Sequence, residues 1–236
     1  SWKRPHLRAF LQPRRVAFVK NPSRLCQLKP IEVAVWGMRW NQGELPPMAK
    51  VFRLEDGFIR SVGLGAELVR PLSWVCDDLG IYYNAKAPSR LERILKETHF
   101  PNEVLQRAEK LRETLTSLGV TKYNVGTGVW KREDIRKKVI LVPGQVESDA
   151  SIAYGASDVR TNLDLLKAVR QKNPEAFLIY KPHPDVVAGL RLAGSGESKA
   201  REFCNIELSD VPMSRLLDEI DEVHTMTSLT GFEALL

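Results

Sequence analysis

Four short polar clusters in this sequence combine residue types that can do chemistry. Leu54-Glu55-Asp56-Gly57-Phe58 places two neighbouring carboxylates at the end of a buried strand, before a glycine that lets the backbone turn. Crowding two acids in a cleft raises the proton affinity of one, as a general base requires, although an acidic pair before glycine is also an ordinary turn. Further on, Val142-Pro143-Gly144-Gln145-Val146-Glu147-Ser148-Asp149 sets Gln145, Glu147 and Asp149 on one loop after a strand. A carboxylate facing a cleft from there can attack or stabilise an anomeric carbon; the competing role is a helix cap by Asp149 or Ser148.

In Lys181-Pro182-His183-Pro184-Asp185, two prolines fix an extended, rigid loop that presents an imidazole at a sheet edge. Such a histidine can bind or protonate a phosphate leaving group, with Lys181 adding positive charge; a histidine satisfied within the core is the alternative. Thr225-Met226-Thr227-Ser228-Leu229-Thr230-Gly231 runs from a strand into a helix, where hydroxyls and free N–H groups bind phosphate. Ser228 can serve as a simple N-cap at the same time.

The elements that must position these clusters follow from apolar patterning. Glu32–Trp36 and Lys50–Leu54 read as strands, and Arg90 to Leu118 as two helices separated by Pro101 and stopped at Gly119. Gly126 to Lys138 breaks the periodicity just before Lys138–Val142, the clearest strand of the sequence, so a domain boundary is expected there, giving domains 1–137 and 138–236. The second half reads as strand, loop, helix (Thr161 to Gln171), strand (Ala176 to Tyr180), the His183 loop, helix, a short strand near Ile206, helix (Met213 to Ile220), strand (Glu222 to Met226) and the start of another helix. Strands alternating with helices imply an α/β fold with a parallel sheet, whose ligands gather at the carboxyl ends of the strands. The chain stops inside that last helix, so the second domain is expected to be truncated.

Apolar residues at 43% and charged residues at 27% indicate neither disorder nor a fibrous repeat. No apolar run approaches the roughly 18 residues of a membrane span and no cleavable signal pattern is present, so a cytoplasmic location is expected. Cys26, Cys76 and Cys204 lie far apart, which fits reduced, individually buried thiols better than a disulfide framework or zinc site. A net charge of +6 comes with a basic N-terminal segment (Lys3, Arg4, Arg8, Arg14, Arg15, Lys20, Arg24) that suits anionic lipid head groups at the inner face of the inner membrane, an acidic substrate, or plain solvation. Nucleic acid is not an expected partner, because no RNA-binding signature or long Lys/Arg run is present.

The ordered stretches Arg53–Gly65, Pro71–Glu92, Lys122–Asn124, Val139–Ile152, Thr161–Leu166, Ile179–Gly189 and Asp221–Leu236 resemble the KpsC/LipB family of capsule-polysaccharide β-Kdo transferases, most of all its C-terminal transferase module. That resemblance implies a GT-B-like architecture, with an acceptor-side Rossmann-like domain, a CMP-sugar-binding Rossmann-like domain and a cleft between them. It also implies that Glu55-Asp56-Gly57, His183-Pro184 and Thr227-Ser228 surround a CMP-sugar, and that Kdo passes from CMP-β-Kdo to a lipid-linked oligo-Kdo primer with retained configuration. Full-length members commonly carry a second transferase module. The expected roles are Asp149 as nucleophile, Glu55 or Asp56 as acid/base, His183 and Ser228 on the CMP phosphate supported by Lys181, and Gln145 and Glu147 lining the sugar site. No cofactor or metal is expected; Asp77-Asp78 is the nearest look-alike of a metal clamp and reads better as a cap on the turn into Leu79-Gly80. An inverting reaction with a structural Asp149, and a silent module that only binds nucleotide sugar or primer, are the alternatives.

Overall fold

The computed structural model describes residues 2–28 and 32–236. In chain order the elements are α1 (Arg4–Phe10), α2 (Ser23–Leu28), β1 (Glu32–Trp36), β2 (Lys50–Asp56), β3 (Trp74–Asp77), α3 (Arg90–Glu97), α4 (Asn102–Ser117), β4 (Val139–Pro143), α5 (Ala150–Gly155), α6 (Asn162–Lys172), β5 (Phe177–Lys181), α7 (Pro184–Val187), β6 (Ile206–Glu207), α8 (Met213–Leu217), β7 (Glu222–Val223) and α9 (Thr230–Glu233). No helix among them is long and apolar enough to cross a membrane.

The second half is the parallel α/β layer that its patterning predicts. Its sheet runs β6-β5-β4-β7, and every pairing is parallel. All five residues of β4 are buried, as suits a central strand covered on both faces. Because successive side chains point to opposite faces, Ile140, Val142, Leu178 and Tyr180 pack with Leu165, Leu166 and Val169 of α6, while Val139, Leu141 and Ile179 pack with Val211 and Leu216. The expected strand at 222–226 pairs as a ladder only over Glu222 and Val223, with His224 N–H adding one bond to Leu141 O at 2.9 Å. The last helix ends at Glu233, short of the chain end.

The first half departs from simple alternation. β1 and β2 are parallel, but β3 pairs antiparallel to β2, with Asp56 opposite Trp74 and Glu55 opposite Val75. β1 buries Val33 and Val35 against Leu25, Leu45 and Ala49. β2 is only partly buried, and the acid pair at its end is half-buried, where a fully buried strand was expected. The expectation of buried thiols fails as well. Cys26 and Cys76 are exposed and Cys204 is half-buried, all three as free thiols. On β3 the alternation turns Asp77 inward and Cys76 out. Helices α3 and α4 form as their periodicity predicts, yet bury no residue; Leu95, Leu105 and Leu111 are each more than half exposed.

Backbone bonds through the segment 121–124 tie the halves together. Lys122 O accepts from Arg60 N (3.2 Å) and Ser61 N (3.1 Å), Tyr123 O accepts from Gly63 N (2.8 Å), and Lys122 N donates to Glu233 Oε1 on α9 (2.7 Å). Phe58 adds edge contacts to Tyr82 and Phe232, with ring centroids 5.1 and 5.0 Å apart. The stretch before residue 138 leans on the second sheet: Gly128 N donates to Asp210 O at 3.1 Å, and Arg132 pairs with Asp221 at 2.9 Å.

Asp77 has the capping role expected of it. Its Oδ1 accepts from Leu79 N and Gly80 N, and its Oδ2 from Arg90 N at the start of α3, each at 2.8 Å. Asp78 instead pairs outward with Arg90 and Lys50. Removing the buried acceptor in Asp77→Ala is expected to destabilise the fold by about 1.5–3 kcal/mol, with a much smaller effect from Asp78→Ala. Urea unfolding of both variants checks this, and equal effects would contradict the capping role.

Candidate active site

The loops at the carboxyl ends of β4, β5 and β7 converge because each is bonded to the next. Gly144 N donates to Lys181 O at 2.8 Å, and a Cβ at Gly144 would sit 2.7 Å from the Tyr180 hydroxyl and 3.1 Å from His183 N, so only glycine permits this approach. The Gln145 side chain donates to Thr227 Oγ1 and accepts from Thr227 N, both at 2.9 Å. Asn162 in turn clamps the Gln145 backbone, donating to its carbonyl and accepting from its N–H, again at 2.9 Å each. The result is a cavity of about 150 Å³ whose wall includes Gln145, Asp149, Lys181, His183, Thr227 and Ser228.

His183 Nδ1 accepts from Asp185 N at 3.1 Å, which leaves the imidazole proton on Nε2 as a donor. Burial, then the Lys122 and Arg191 charges, push its pKa down to about 4, so at neutral pH it is a hydrogen-bond donor without charge. Lys181 donates to Ser209 O at 2.9 Å; burial brings it down to about 8, against the pull of Asp210. Ser228 Oγ accepts from Thr230 N at 3.2 Å and its own N–H donates to Thr225 Oγ1 at 3.1 Å, a hydroxyl turn at the start of α9 that still faces the cavity.

Asp149 occupies the N-cap position of α5, but its side chain makes no cap bond. It pairs with Arg191 at 3.1 Å, and burial raises its pKa against the opposing pull of Arg191 and Lys122. Asp149, His183, Lys122, Tyr82 and Tyr123 line both this cavity and a second one of about 560 Å³. Glu55 and Asp56 line the far side of that larger space.

The two acids differ sharply. Asp56 is held by the fully buried Arg60 (2.8 Å) and by Lys3 (3.4 Å). Among the described residues Glu55 receives only Asp56 N at 3.0 Å and the Tyr83 hydroxyl at 3.4 Å, and its pKa is raised, chiefly by burial and further by the Asp56 charge. Two expected members fall outside the site. Glu147 lines neither cavity, because its oxygens are taken by Asn162 N at the start of α6 and by Ser195 N, both at 2.8 Å. Gly57 lines neither cavity: its φ is not positive, but a Cβ there would fall 2.8 Å from the Ser73 backbone carbon, so close approach and not a sharp turn requires glycine. Among the described residues, no three His, Cys, Asp or Glu side chains come together as a metal site would need.

Residues 46–124 and 126–236 match the profile of the capsule polysaccharide biosynthesis protein family. The chain belongs to that family. Among its curated relatives, the capsule polysaccharide modification protein LipA of Neisseria meningitidis serogroup B is 44% identical over 246 residues, covering 100% of this chain and 34% of LipA. The lipopolysaccharide-processing protein LpsZ of Rhizobium meliloti is 38% identical over 252 residues, covering 100% of this chain and 57% of LpsZ. The chain thus spans about a third of LipA and just over half of LpsZ. Among solved structures, the KpsC β Kdo 2,7 transferase of Thermosulfurimonas dismutans aligns with TM-score 0.77 and 37% identity, over 99% of this chain and 72% of that one. The KpsC β Kdo 2,4 transferase from the same organism aligns with TM-score 0.81 and 31% identity, over 98% and 72%.

Within this capsule-family site the sequence reading passed over Lys122, Tyr82, Tyr123 and Arg191. Lys122 and Tyr123 stand in the Lys122–Asn124 stretch, which carried the family resemblance but was given no role, and the fold shows that it bridges the halves. Burial opposes the Lys122 charge, the neighbouring Tyr123 and Tyr82 phenols, themselves raised and protonated at neutral pH, offer it oxygens and not negative charge, and Asp56 supplies the nearby anion; its pKa is raised.

Since unfolded His183 binds its proton near pH 6.5 and folded His183 only near 4, acidification through that window favours the unfolded chain. His183→Gln is expected to flatten the acid side of the stability profile between about pH 6.5 and 4. Titration of the imidazole by ¹H–¹⁵N NMR gives the direct check, and a midpoint near 6.5 would contradict the buried, neutral assignment.

Proposed function

We propose that this chain is a retaining β-Kdo transferase module that moves Kdo from CMP-β-Kdo to a lipid-linked oligo-Kdo primer. The observation that carries the proposal is Asp149, on the wall common to both cavities, with the His183 and Ser228 donors on one side and the free acid Glu55 on the other. The likeness to two Kdo transferases above 30% identity supports the substrate class. The two sheets flanking the larger cavity support a GT-B-like arrangement of Rossmann-like domains, 1–137 on the acceptor side and 138–236 on the CMP-sugar side.

In the proposed first step an Asp149 oxygen attacks the anomeric carbon of Kdo and the bond to the CMP phosphate breaks, its electron pair staying on the phosphate oxygen. His183 Nε2–H, the Ser228 hydroxyl, Thr227 and Lys181 meet that charge, the last still mostly an ammonium at neutral pH although burial brings it down to about 8. In the second step the acceptor hydroxyl attacks the same carbon, its proton passes to Glu55 and the Asp149 carboxylate leaves. Two inversions preserve the anomer. Glu55 is assigned the acid/base role because its raised proton affinity is not cancelled by a paired cation, whereas Asp56 is engaged by Arg60 and Lys3. The leaving charge is met by protein donors, so no divalent ion or other cofactor is required. The expected setting is the cytoplasmic face of the inner membrane, with a second transferase module elsewhere in the full-length chain.

Wild-type protein given CMP-Kdo generated in place, without acceptor, is expected to gain a Kdo-sized mass on the peptide around Asp149. Asp149→Asn forms no adduct and transfers nothing, and Glu55→Gln slows transfer by about 10²–10⁴-fold. Near-normal transfer by Asp149→Asn would establish instead the inverting reaction with a structural Asp149.

With a Kdo-terminated acceptor added, turnover is expected to persist in EDTA. Loss of turnover in chelator, restored by Mg²⁺ or Mn²⁺, would overturn the metal-independent mechanism, and linkage analysis of the product by NMR reads the anomer.

A further inference from the structure

Tyr83 is wedged between two glycines from different halves of the molecule. A Cβ at Gly37, where φ is +50°, would sit 2.6 Å from the Tyr83 hydroxyl and 3.3 Å from Glu55 Oε2. A Cβ at Gly155, in α5, would sit 2.5 Å from the Tyr83 carbonyl oxygen. A larger residue at either position displaces the tyrosine, from its hydroxyl end in one case and from its backbone in the other. Gly37 is itself clamped: its N–H donates to Leu54 O at 2.8 Å, and its carbonyl accepts from buried Arg53 at 3.1 Å. Ala85 N adds a second tie to α5, donating to Tyr154 O at 3.1 Å.

Asp149 is the residue that heads α5. Tyr83 therefore reaches from the helix of the proposed nucleophile to the proposed acid/base: its backbone rests on Gly155, its ring is buried, and its hydroxyl donates to Glu55 Oε2 at 3.4 Å. Glu55 Oε1 accepts from Asp56 N at 3.0 Å, so each carboxyl oxygen carries one donor and the plane of the group is set. Burial, then the Glu55 charge, raise the proton affinity of the phenol, so it donates and does not compete as a base. The other charged and titratable groups facing Glu55 are Asp56 on its own strand, Lys3 ahead of α1, Lys122 in the bridging segment and Tyr82. Among the described residues none of their side chains bonds the carboxyl, which leaves its orientation to Tyr83 and the Asp56 N–H. An acceptor hydroxyl has to reach Glu55 and the Asp149 ester at once, a geometry in which a small misplacement of either is costly.

We propose that Tyr83 is a positioning residue of the transfer reaction, a strut between α5 and Glu55 that aims the carboxyl at the acceptor hydroxyl. The inference rests on Glu55 as the acid/base of the transferase described above. It is tested by ¹³C NMR titration of the Glu55 carboxyl, assigned against Glu55→Gln, together with transfer assays. Tyr83→Phe keeps the ring and removes only the donor, so the Glu55 midpoint is expected to rise, because the ionised form loses a hydrogen bond. The acid limb of the pH–rate profile moves to higher pH with it. At 3.4 Å the bond is long for a hydroxyl, which sets the fall in kcat near the low end for a charged acceptor, about 10-fold, with unchanged KM for the CMP-linked donor and an unchanged urea midpoint. Gly37→Ala, whose Cβ pushes the hydroxyl aside, raises the Glu55 midpoint more in wild type than in the Tyr83→Phe background. An unmoved midpoint or acid limb in Tyr83→Phe, or an equal effect of Gly37→Ala in both backgrounds, overturns the strut. An inactive Glu55→Gln beside an unmoved midpoint in Tyr83→Phe removes Tyr83 and leaves the acid/base in place; near-normal transfer by Glu55→Gln removes the acid/base and the strut with it.

Discussion

Burial and one ammonium, that of Lys122, pull in opposite directions across the cleft. Lys122 lowers the proton affinity of His183, Asp149, Asp185, Glu55 and Glu233, yet burial is the larger effect and leaves all four carboxylates raised. The Lys122 backbone performs a second task, accepting from Arg60 and Ser61 and donating to Glu233, so the charge is fixed where the two halves meet. Electrostatics and assembly therefore depend on the same residue, and a separation of the halves would release the cation as well.

The rigidity of the second-half site comes from side chains that satisfy backbone groups at strand ends. Gln145 bonds the Thr227 loop, Asn162 bonds Gln145, and Glu147 bonds Asn162 and Ser195. This chain of bonds runs from β7 across β4 to α6, so Thr227 and Ser228 are preset before any ligand arrives. Glu147 acts two bonds away from the cavity and contributes by holding the loop in place. The acid side is braced differently. Buried Arg60 donates to Asp56, Ser61 and Val69, and Arg53 donates to the Gly37 and Trp40 carbonyls. Asp56 is thereby consumed as a structural anion, and Glu55 beside it is left unpaired.

Elements with a sustained period were legible from composition and spacing alone. The buried apolar run of β4, the helix expected from Thr161 to Gln171 and found as α6 with Thr161 as its cap, and the proline-flanked His183 loop all lie within a residue or so of where they were expected. β3 was not legible, because Trp74-Val75-Cys76-Asp77 is too short to show alternation and is recruited by pairing with β2. The periodicity of α4 gave its type correctly and says nothing of what covers its apolar stripe. Polar positions were the hardest. Glu147 and Asp149 are two residues apart on one loop and point to different partners, and Arg191 acquires meaning only because the loop after α7 folds back onto Asp149.

The charges around the cleft are only partly paired in the free protein. Asp56 is matched by Arg60 and Lys3, and Asp149 by Arg191, while Glu55, Asp185, Glu233, Arg39, Lys122 and Lys181 line the two cavities without an ion pair among the described residues. Under the proposed function these unpaired groups divide the work: the donor's phosphate meets Lys181 and the neutral donors His183 and Ser228, and Asp149 reacts from a half-exposed pair with Arg191 that water can also satisfy. Glu55, which no cation pairs, keeps the proton affinity that its burial confers.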